Sequence, residues 1–208
     1  MILIGQYDSP FVRRVGIALT LYGMPFEHRP WSTFADAVRI APFNPLLRVP
    51  TLVLDGQEAL VDSTSILDYL DECAGSARAL MPETGPTRRQ HMRIATLGTG
   101  LADKAVSLFY ERALHAQTSD TWVERCTAQI VGVLDALDRE RAAAPTRFWF
   151  GDAISHADIA VACALRFATE AHAGLFSLSR WPALGSHART CEALEPFQAI
   201  QQAFKPPA

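Results

Sequence analysis

This chain has no cluster of cysteines or histidines. Its four cysteines, Cys73, Cys126, Cys163 and Cys191, stand far apart and form no C-x-x-C pair. Neither a redox dithiol nor a zinc site of ordinary ligand spacing can be read from them. They are expected to be free thiols, buried or half-buried, in a reducing compartment. The histidines at 28, 91, 115, 156, 172 and 187 are just as dispersed, so structural or surface roles are expected and no metal. No apolar run approaches the roughly 20 residues of a membrane span. The first residues, Met1-Ile2-Leu3-Ile4, lack the basic leader and cleavage site of a signal peptide. A net charge of −3 offers no basic face for nucleic acid or an anionic membrane. The expectation is a cytoplasmic protein with neither kind of partner.

With 208 residues the chain can form one domain or two small ones. The first third alternates short apolar runs with helical periodicity. Met1 to Gly5 suits a buried strand. Ser9 then reads as an N-cap and Pro10 as the first helical residue, where a missing N–H costs nothing. Phe11, Val15, Ala18, Leu19 and Tyr22 recur at helical spacing as far as Gly23, a natural stop. Phe26–Trp31 is a second strand and Ala35–Ile40 a short helix. Val49-Pro50 precedes the apolar run Thr51–Leu54, and X-Pro is the peptide bond for which a cis form costs only about 0.5–1 kcal/mol. A cis bond there would turn the Val49 backbone outward, toward an extended ligand. Asp55-Gly56 between two apolar runs signals a hairpin, and Ile66, Leu67 and Leu70 mark the helix after Asp62-Ser63.

From Gly75 to Pro86 the composition shifts to Gly, Ser, Pro and charge, as in a linker. Helical periodicity then fills Thr87–His115 and Ser119–Ala143. Gly98 and Gly100 weaken the first of these and mark a bend or a close crossing. Ser155 and Asp158 have capping-box spacing, with Ile154 and Ile159 as a hydrophobic staple. The helix beyond them is apolar almost all round and should be the buried centre of its domain. Further helices begin at Trp181-Pro182 and Pro196.

These features together resemble the cytosolic glutathione S-transferases, in a bacterial form with a serine-type active site. The carriers are Ser9-Pro10-Phe11-Val12-Arg13-Arg14-Val15, Asn44-Pro45 ahead of Arg48-Val49-Pro50-Thr51-Leu52, Asp62-Ser63 ahead of Ile66, the Ser155–Asp158 box, and Trp181-Pro182-Ala183-Leu184. The resemblance implies an α/β thioredoxin-like N-terminal domain (β-α-β-α-β-β-α) at 1–76, a linker at 77–86, and an all-α helical-bundle domain at 87–208. It also implies glutathione as co-substrate, a small hydrophobic electrophile as its partner, and a homodimer.

The implied site is Ser9, Phe11, Arg48, Val49, Pro50, Asp62 and Ser63. A thiol with a reference pKa near 8.5 is only slightly ionised at neutral pH. A hydroxyl donor at a helix N-terminus stabilises the thiolate, and two units of pKa depression require about 2.7 kcal/mol. Ser9 fits that role, with Tyr7 at the end of the first strand as its rival. Val49 would pair through its backbone with the cysteinyl residue. Asp62 would face the γ-glutamyl ammonium, while Ser63 and its N–H cap the next helix and receive a carboxylate. Arg13 and Arg48 are candidates for the glycyl carboxylate, and Thr33–Arg39 shows no counterpart of the Lys or His many relatives place there. The electrophile pocket would be lined by Pro10, Phe11, Asp103, Ser107, Phe109 and Tyr110. Asp103 further resembles an acidic residue that some dimeric members extend to the partner's glutathione. The alternatives are a glutathione-binding protein of this fold without catalysis, or a glutathione-dependent isomerase or dehalogenase. The Ser-Ser-Cys signature of the maleylacetoacetate isomerase class is missing around Ser9.

Overall fold

The structure is a computed structural model that describes residues 1–144 and 146–206. The chain divides into two compact units, Met1–Glu83 joined by the segment from Glu195 onward, and Thr84–Leu194. The last helix, which sequence reading groups with the helical domain, thus packs with the first unit.

The first unit is built on a four-stranded mixed sheet of β1 (Ile2–Ile4), β2 (Glu27–Arg29), β3 (Thr51–Val53) and β4 (Ala59–Val61), in the order β2-β1-β3-β4. β1 runs parallel to β2 and antiparallel to β3, and β3 and β4 form the hairpin. The hairpin's left-handed residue is Gln57 rather than Gly56. Side chains alternate across the sheet with the period of two that strands impose. Leu3 and Leu52 face α1 (Pro10–Tyr22) through Val12, Val15, Ala18 and Leu19. Ile4 and Val53 face the other way, onto Ile40 of the short helix α2 (Ala37–Ile40). The helix α3 (Ser63–Ala74) covers the first face with Ile66, Leu67 and Leu70.

Ser9 caps α1 and Pro10 opens it, while Gly23 closes it in the left-handed conformation. Beyond α3, the stretch expected as a linker is held to this unit. The Tyr22 hydroxyl donates to Asp71 and accepts from the Leu80 N–H, and Arg78 donates to the Tyr22 carbonyl.

In the second unit, α4 (Gly85–Leu114) and α5 (Asp120–Ala143) pack with α6 (His156–Ala171) and α7 (Pro182–Glu192). α6 is buried almost all round, as its composition requires. The capping box at its start forms. Asp158 is fully buried, with Oδ2 accepting from the N–H and hydroxyl of Ser155 and Oδ1 accepting from the Trp149 N–H at 2.8 Å. The final short helix α8 (Glu195–Ala199) belongs to the first unit.

Gly98 is a close crossing and not a bend: α4 is continuous, and a Cβ at Gly98 would lie 2.9 Å from the Val161 backbone nitrogen of α6. Gly100 faces open space. All four cysteines are outside disulfides; Cys126, Cys163 and Cys191 are buried, whereas Cys73 is exposed. Among the described residues no group of three or more His, Cys, Asp or Glu could hold a metal, and no helix is long and apolar enough to cross a membrane.

Burial lowers the pKa of His91, His172 and His187, all in the second unit. For His187 this outweighs the opposing pull of Asp158, whose Oδ1 lies 3.8 Å from Nε2. An imidazole with a lower pKa folded than unfolded contributes stability that is complete above the unfolded value, about 6.5, and is lost as pH falls below it. The melting temperature should therefore fall as the buffer is taken from pH 7 to pH 5, and a flat profile there would contradict this account. Gly98→Ala should be destabilising, because overpacking costs about 1–3 kcal/mol against a helix-propensity gain of about 1 kcal/mol. Gly100→Ala, with the same gain and no clash, should be neutral or stabilising in the same denaturant titration.

Candidate functional site

The site grows from the end of β1. Gly5 follows that strand with φ +128°, where a side chain is strained, and a Cβ would lie 2.8 Å from Val49 Cβ and 2.5 Å from Val12 Cγ2. Glycine here lets three segments converge: the strand end, the first turn of α1, and the loop before β3. That loop is organised by Asn44, which is buried. Its amide donates to the Arg48 carbonyl at 2.8 Å and to Thr51 Oγ1 at 3.1 Å, and its oxygen accepts from the Leu46 N–H. The Val49-Pro50 peptide is cis, as sequence reading anticipates. Among the described residues nothing pairs with the Val49 N–H or C=O.

Phe11, Arg48, Val49, Pro50, Asp62 and Ser63 line one small cleft of about 50 Å³, together with Asn44, Leu46 and Val61. Six of the seven expected residues therefore share a surface. Ser9 is not in the lining; it sits two residues before Phe11, as the cap of α1. Its Oγ accepts from the Val12 N–H at 3.4 Å, and no described residue accepts from its hydroxyl. The oxygen thus accepts one long cap bond and the proton is uncommitted, beside the positive end of a helix.

At the start of α3 the roles differ from expectation. The N-cap is Asp62, whose Oδ1 accepts from the Thr64 N–H at 2.7 Å, and Ser63 is the first helical residue. Asp62 has φ +69° and ψ +133°. A non-glycine residue there stores about 1–3 kcal/mol of strain, the kind of outlier that functional sites keep. Its carboxylate remains exposed, and the Ser63 N–H has no acceptor among the described residues. Ser63 Oγ is buried and accepts from Arg14 Nη1 at 3.3 Å. Arg14 ties α1 to the start of α3; sequence reasoning quoted it within the Ser9–Val15 motif but gave it no role at the site.

Other expectations separate from the cleft. Arg13 is buried, donating from Nε to the Ile200 carbonyl at 2.9 Å and from Nη2 to the Phe197 carbonyl at 3.0 Å. It is neither a surface charge nor open to a carboxylate. Arg48 is exposed and meets no side-chain partner among the described residues. Tyr7 stacks on His28 with ring centroids 3.8 Å apart, and burial pushes its phenol up to about 12. It does not line the cleft. Near 33–39, Arg39 is paired with Asp36 and lies over Trp31. In the second unit Asp103 pairs with Lys104, and Phe109 lies against His172 and Tyr110.

A mixed β2-β1-β3-β4 sheet carrying helices, with a cis-proline before β3 and followed by a helical unit, defines a thioredoxin-like domain joined to an all-α domain. Family profiles described as glutathione S-transferase N-terminal and C-terminal domains match residues 3–78 and 120–189. The chain is 32% identical over 168 residues to the uncharacterized GST-like protein YibF of Escherichia coli K12, covering 80% of this chain and 81% of that one. It belongs to the glutathione S-transferase family. Among solved structures, a glutathione S-transferase of Methylobacterium radiotolerans in complex with glutathione sulfonate matches with a TM-score of 0.89 at 26% identity, covering 100% of this chain and 98% of that one. A glutathione transferase family member of Pseudomonas fluorescens Pf-5 with bound glutathione matches with a TM-score of 0.82 at 28% identity, over 100% and 99%.

Asn44 closes the loop through a buried amide, and losing buried hydrogen bonds costs about 1–3 kcal/mol for each partner left unsatisfied. Asn44→Ala should lower unfolding stability by at least that amount, while Asn44→Asp, which keeps the acceptor for Leu46 but loses both donated bonds, should also be destabilised. Equal stability of Asn44→Ala and the parent in denaturant titration would refute this account of the loop.

Proposed function

We propose that this chain binds glutathione in the Phe11–Ser63 cleft and activates its thiol for attack on a hydrophobic electrophile. The observation that carries the reading is the uncommitted Ser9 hydroxyl at the N-terminus of α1, beside a cleft whose Val49 backbone and Ser63 N–H are also unpaired. The enclosed part of the cleft is small, so the tripeptide would lie along it, extended. Val49 would give and take backbone hydrogen bonds with the cysteinyl residue. The Ser63 N–H, an orphan donor of the first turn of α3, suits the γ-glutamyl carboxylate. The exposed Asp62 carboxylate suits the ammonium beside it. Arg48 is the remaining cation for the glycyl end.

In this reading the Ser9 hydroxyl donates to the thiolate sulfur, and the thiol proton leaves to solvent. The thiolate then forms a C–S bond, either displacing a leaving group with its electron pair or adding to an activated double bond that is subsequently protonated. Ser9 is favoured over Tyr7 because the Tyr7 ring is stacked on His28, whereas the Ser9 hydroxyl is uncommitted at the start of α1, two residues before Phe11 of the cleft. A homodimer belongs to the same proposal; Phe34, Val38, Leu46 and Leu47 give the first unit exposed apolar surface to bury.

Ser9→Ala tests the proposal directly. The thiol pKa of bound glutathione, read from thiolate absorbance, should rise toward its reference near 8.5, and turnover at neutral pH should fall by about 10²-fold. Glutathione affinity should change little. An unaltered thiol pKa and turnover across a panel of halides, enones and peroxides would overturn Ser9 as the activating group. Binding without turnover in the parent would instead reduce the protein to a glutathione-binding member of the fold.

A further inference from the structure

The Gln6–Ser9 turn that carries the Ser9 hydroxyl belongs to neither strand nor helix. Among the described residues its one internal backbone–backbone bond is Ser9 N–H to the Gln6 carbonyl at 3.1 Å, and the Asp8 carboxylate turns back onto the N–H groups of Asp8 and Ser9. The cap bond from Val12 to Ser9 Oγ is long, at 3.4 Å, and such a bond restrains weakly. The turn is also held from outside, by the segment that follows α8. The Tyr7 N–H donates to Gln202 Oε1 at 3.3 Å, and Asp8 Oδ2 accepts from the Lys205 N–H at 3.1 Å.

The segment that supplies these two bonds is itself anchored under α1. Phe197 is fully buried and Ile200 nearly so. Gly16 of α1 leaves room for Ile200, since a Cβ there would lie 2.8 Å from Ile200 Cγ2. Arg13 clamps the Phe197 and Ile200 carbonyls and lies over the Phe197 ring at 5.4 Å. The backbone N–H of the same Arg13 bonds to the Ser9 carbonyl at 2.9 Å. One arginine therefore joins the helical turn beginning at Ser9 to the segment that reaches back to Tyr7 and Asp8.

We propose that residues 197–205 are a positioning strap for Ser9, with Gln202 and the Lys205 N–H as the groups that set its hydroxyl against the glutathione sulfur. They touch neither the cleft nor the thiol and act through the backbone of Tyr7 and the carboxylate of Asp8. The inference rests on Ser9 being the activating group. Burying a guanidinium is expensive unless its donors are satisfied, so the clamp uses Arg13 where an apolar residue would serve mere packing. Small displacements of an activating group cost rate steeply, about 10²-fold for 1 Å.

Gln202→Ala removes the acceptor for Tyr7, Lys205→Pro removes the donor to Asp8, and Gln202→Glu keeps an acceptor oxygen in place. The double variant Gln202→Ala/Lys205→Pro should raise the bound thiol pKa by about one unit and lower kcat at pH 6.5 about tenfold. The glutathione Kd should stay within about twofold, because Val49, Asp62 and Ser63 are untouched. Gln202→Glu should retain the parent's thiol pKa. A drop in melting temperature with an unchanged thiol pKa would overturn the proposal and leave the strap structural only. If the parent protein itself leaves the thiol pKa at its free value, the thiol-activating function fails first and the positioning role fails with it; a lowered pKa in the parent that the double variant preserves refutes the strap alone.

Discussion

The close approach at Gly5 is the constraint on which the rest of the first unit depends. Three chain segments meet there at distances that no side chain tolerates: the end of β1, the first turn of α1 through Val12, and the pre-β3 loop through Val49. Sheet pairing brings two of them together, since β1 lies between β2 and β3. Glycine permits the third. Because Val12 packs against Gly5, the first turn of α1 is set close to Val49, while the Gln6–Ser9 turn ahead of it takes its outside support from Gln202 and Lys205. A larger residue at position 5 would separate the hydroxyl from the backbone it is proposed to work with.

Polar burial fixes geometry in both units. Asn44 satisfies three partners within its own loop, Arg13 joins α1 to the segment beyond Leu194, and Asp158 locks the start of α6. Each lies where the backbone turns and its N–H or C=O groups would otherwise be left in an apolar interior. By contrast, three groups of the first unit are left open at or near the cleft: the Val49 backbone and the Ser63 N–H, which line it, and the Ser9 hydroxyl two residues before Phe11. Open donors and acceptors of this kind are what the proposed glutathione contacts would use.

Local signals were legible where they act over a few residues. Ser9-Pro10 and Gly23 bounded α1, Ser155 and Asp158 made their box, and Val49-Pro50 is cis. Misreadings arose where a partner distant in sequence decides the role. Arg13 looked like surface charge or a ligand cation because the carbonyls that bury it lie at Phe197 and Ile200. Asp62 rather than Ser63 is the cap, and the Ser63 hydroxyl accepts instead from Arg14, 49 residues earlier in the chain. The Gly-, Ser- and Pro-rich stretch after Gly75 read as linker because Tyr22 and Asp71, which hold it, are remote in sequence or lie in the preceding helix.

By itself, the sequence determined the order of strands and helices, the caps of α1 and α6, and the family to which the chain belongs, since periodicity and turn chemistry act locally along the backbone. Only the tertiary structure decided which polar groups are spent and which remain open. That Ser9's oxygen accepts one long cap bond while its proton is uncommitted, that Tyr7 is stacked on His28, and that Gln202 and Lys205 return to the Tyr7–Asp8 turn all depend on neighbours up to about two hundred residues away. Hydrogen-bond accounts close in space and not along the chain, and so the division between structural and available groups appeared only once the chain was folded.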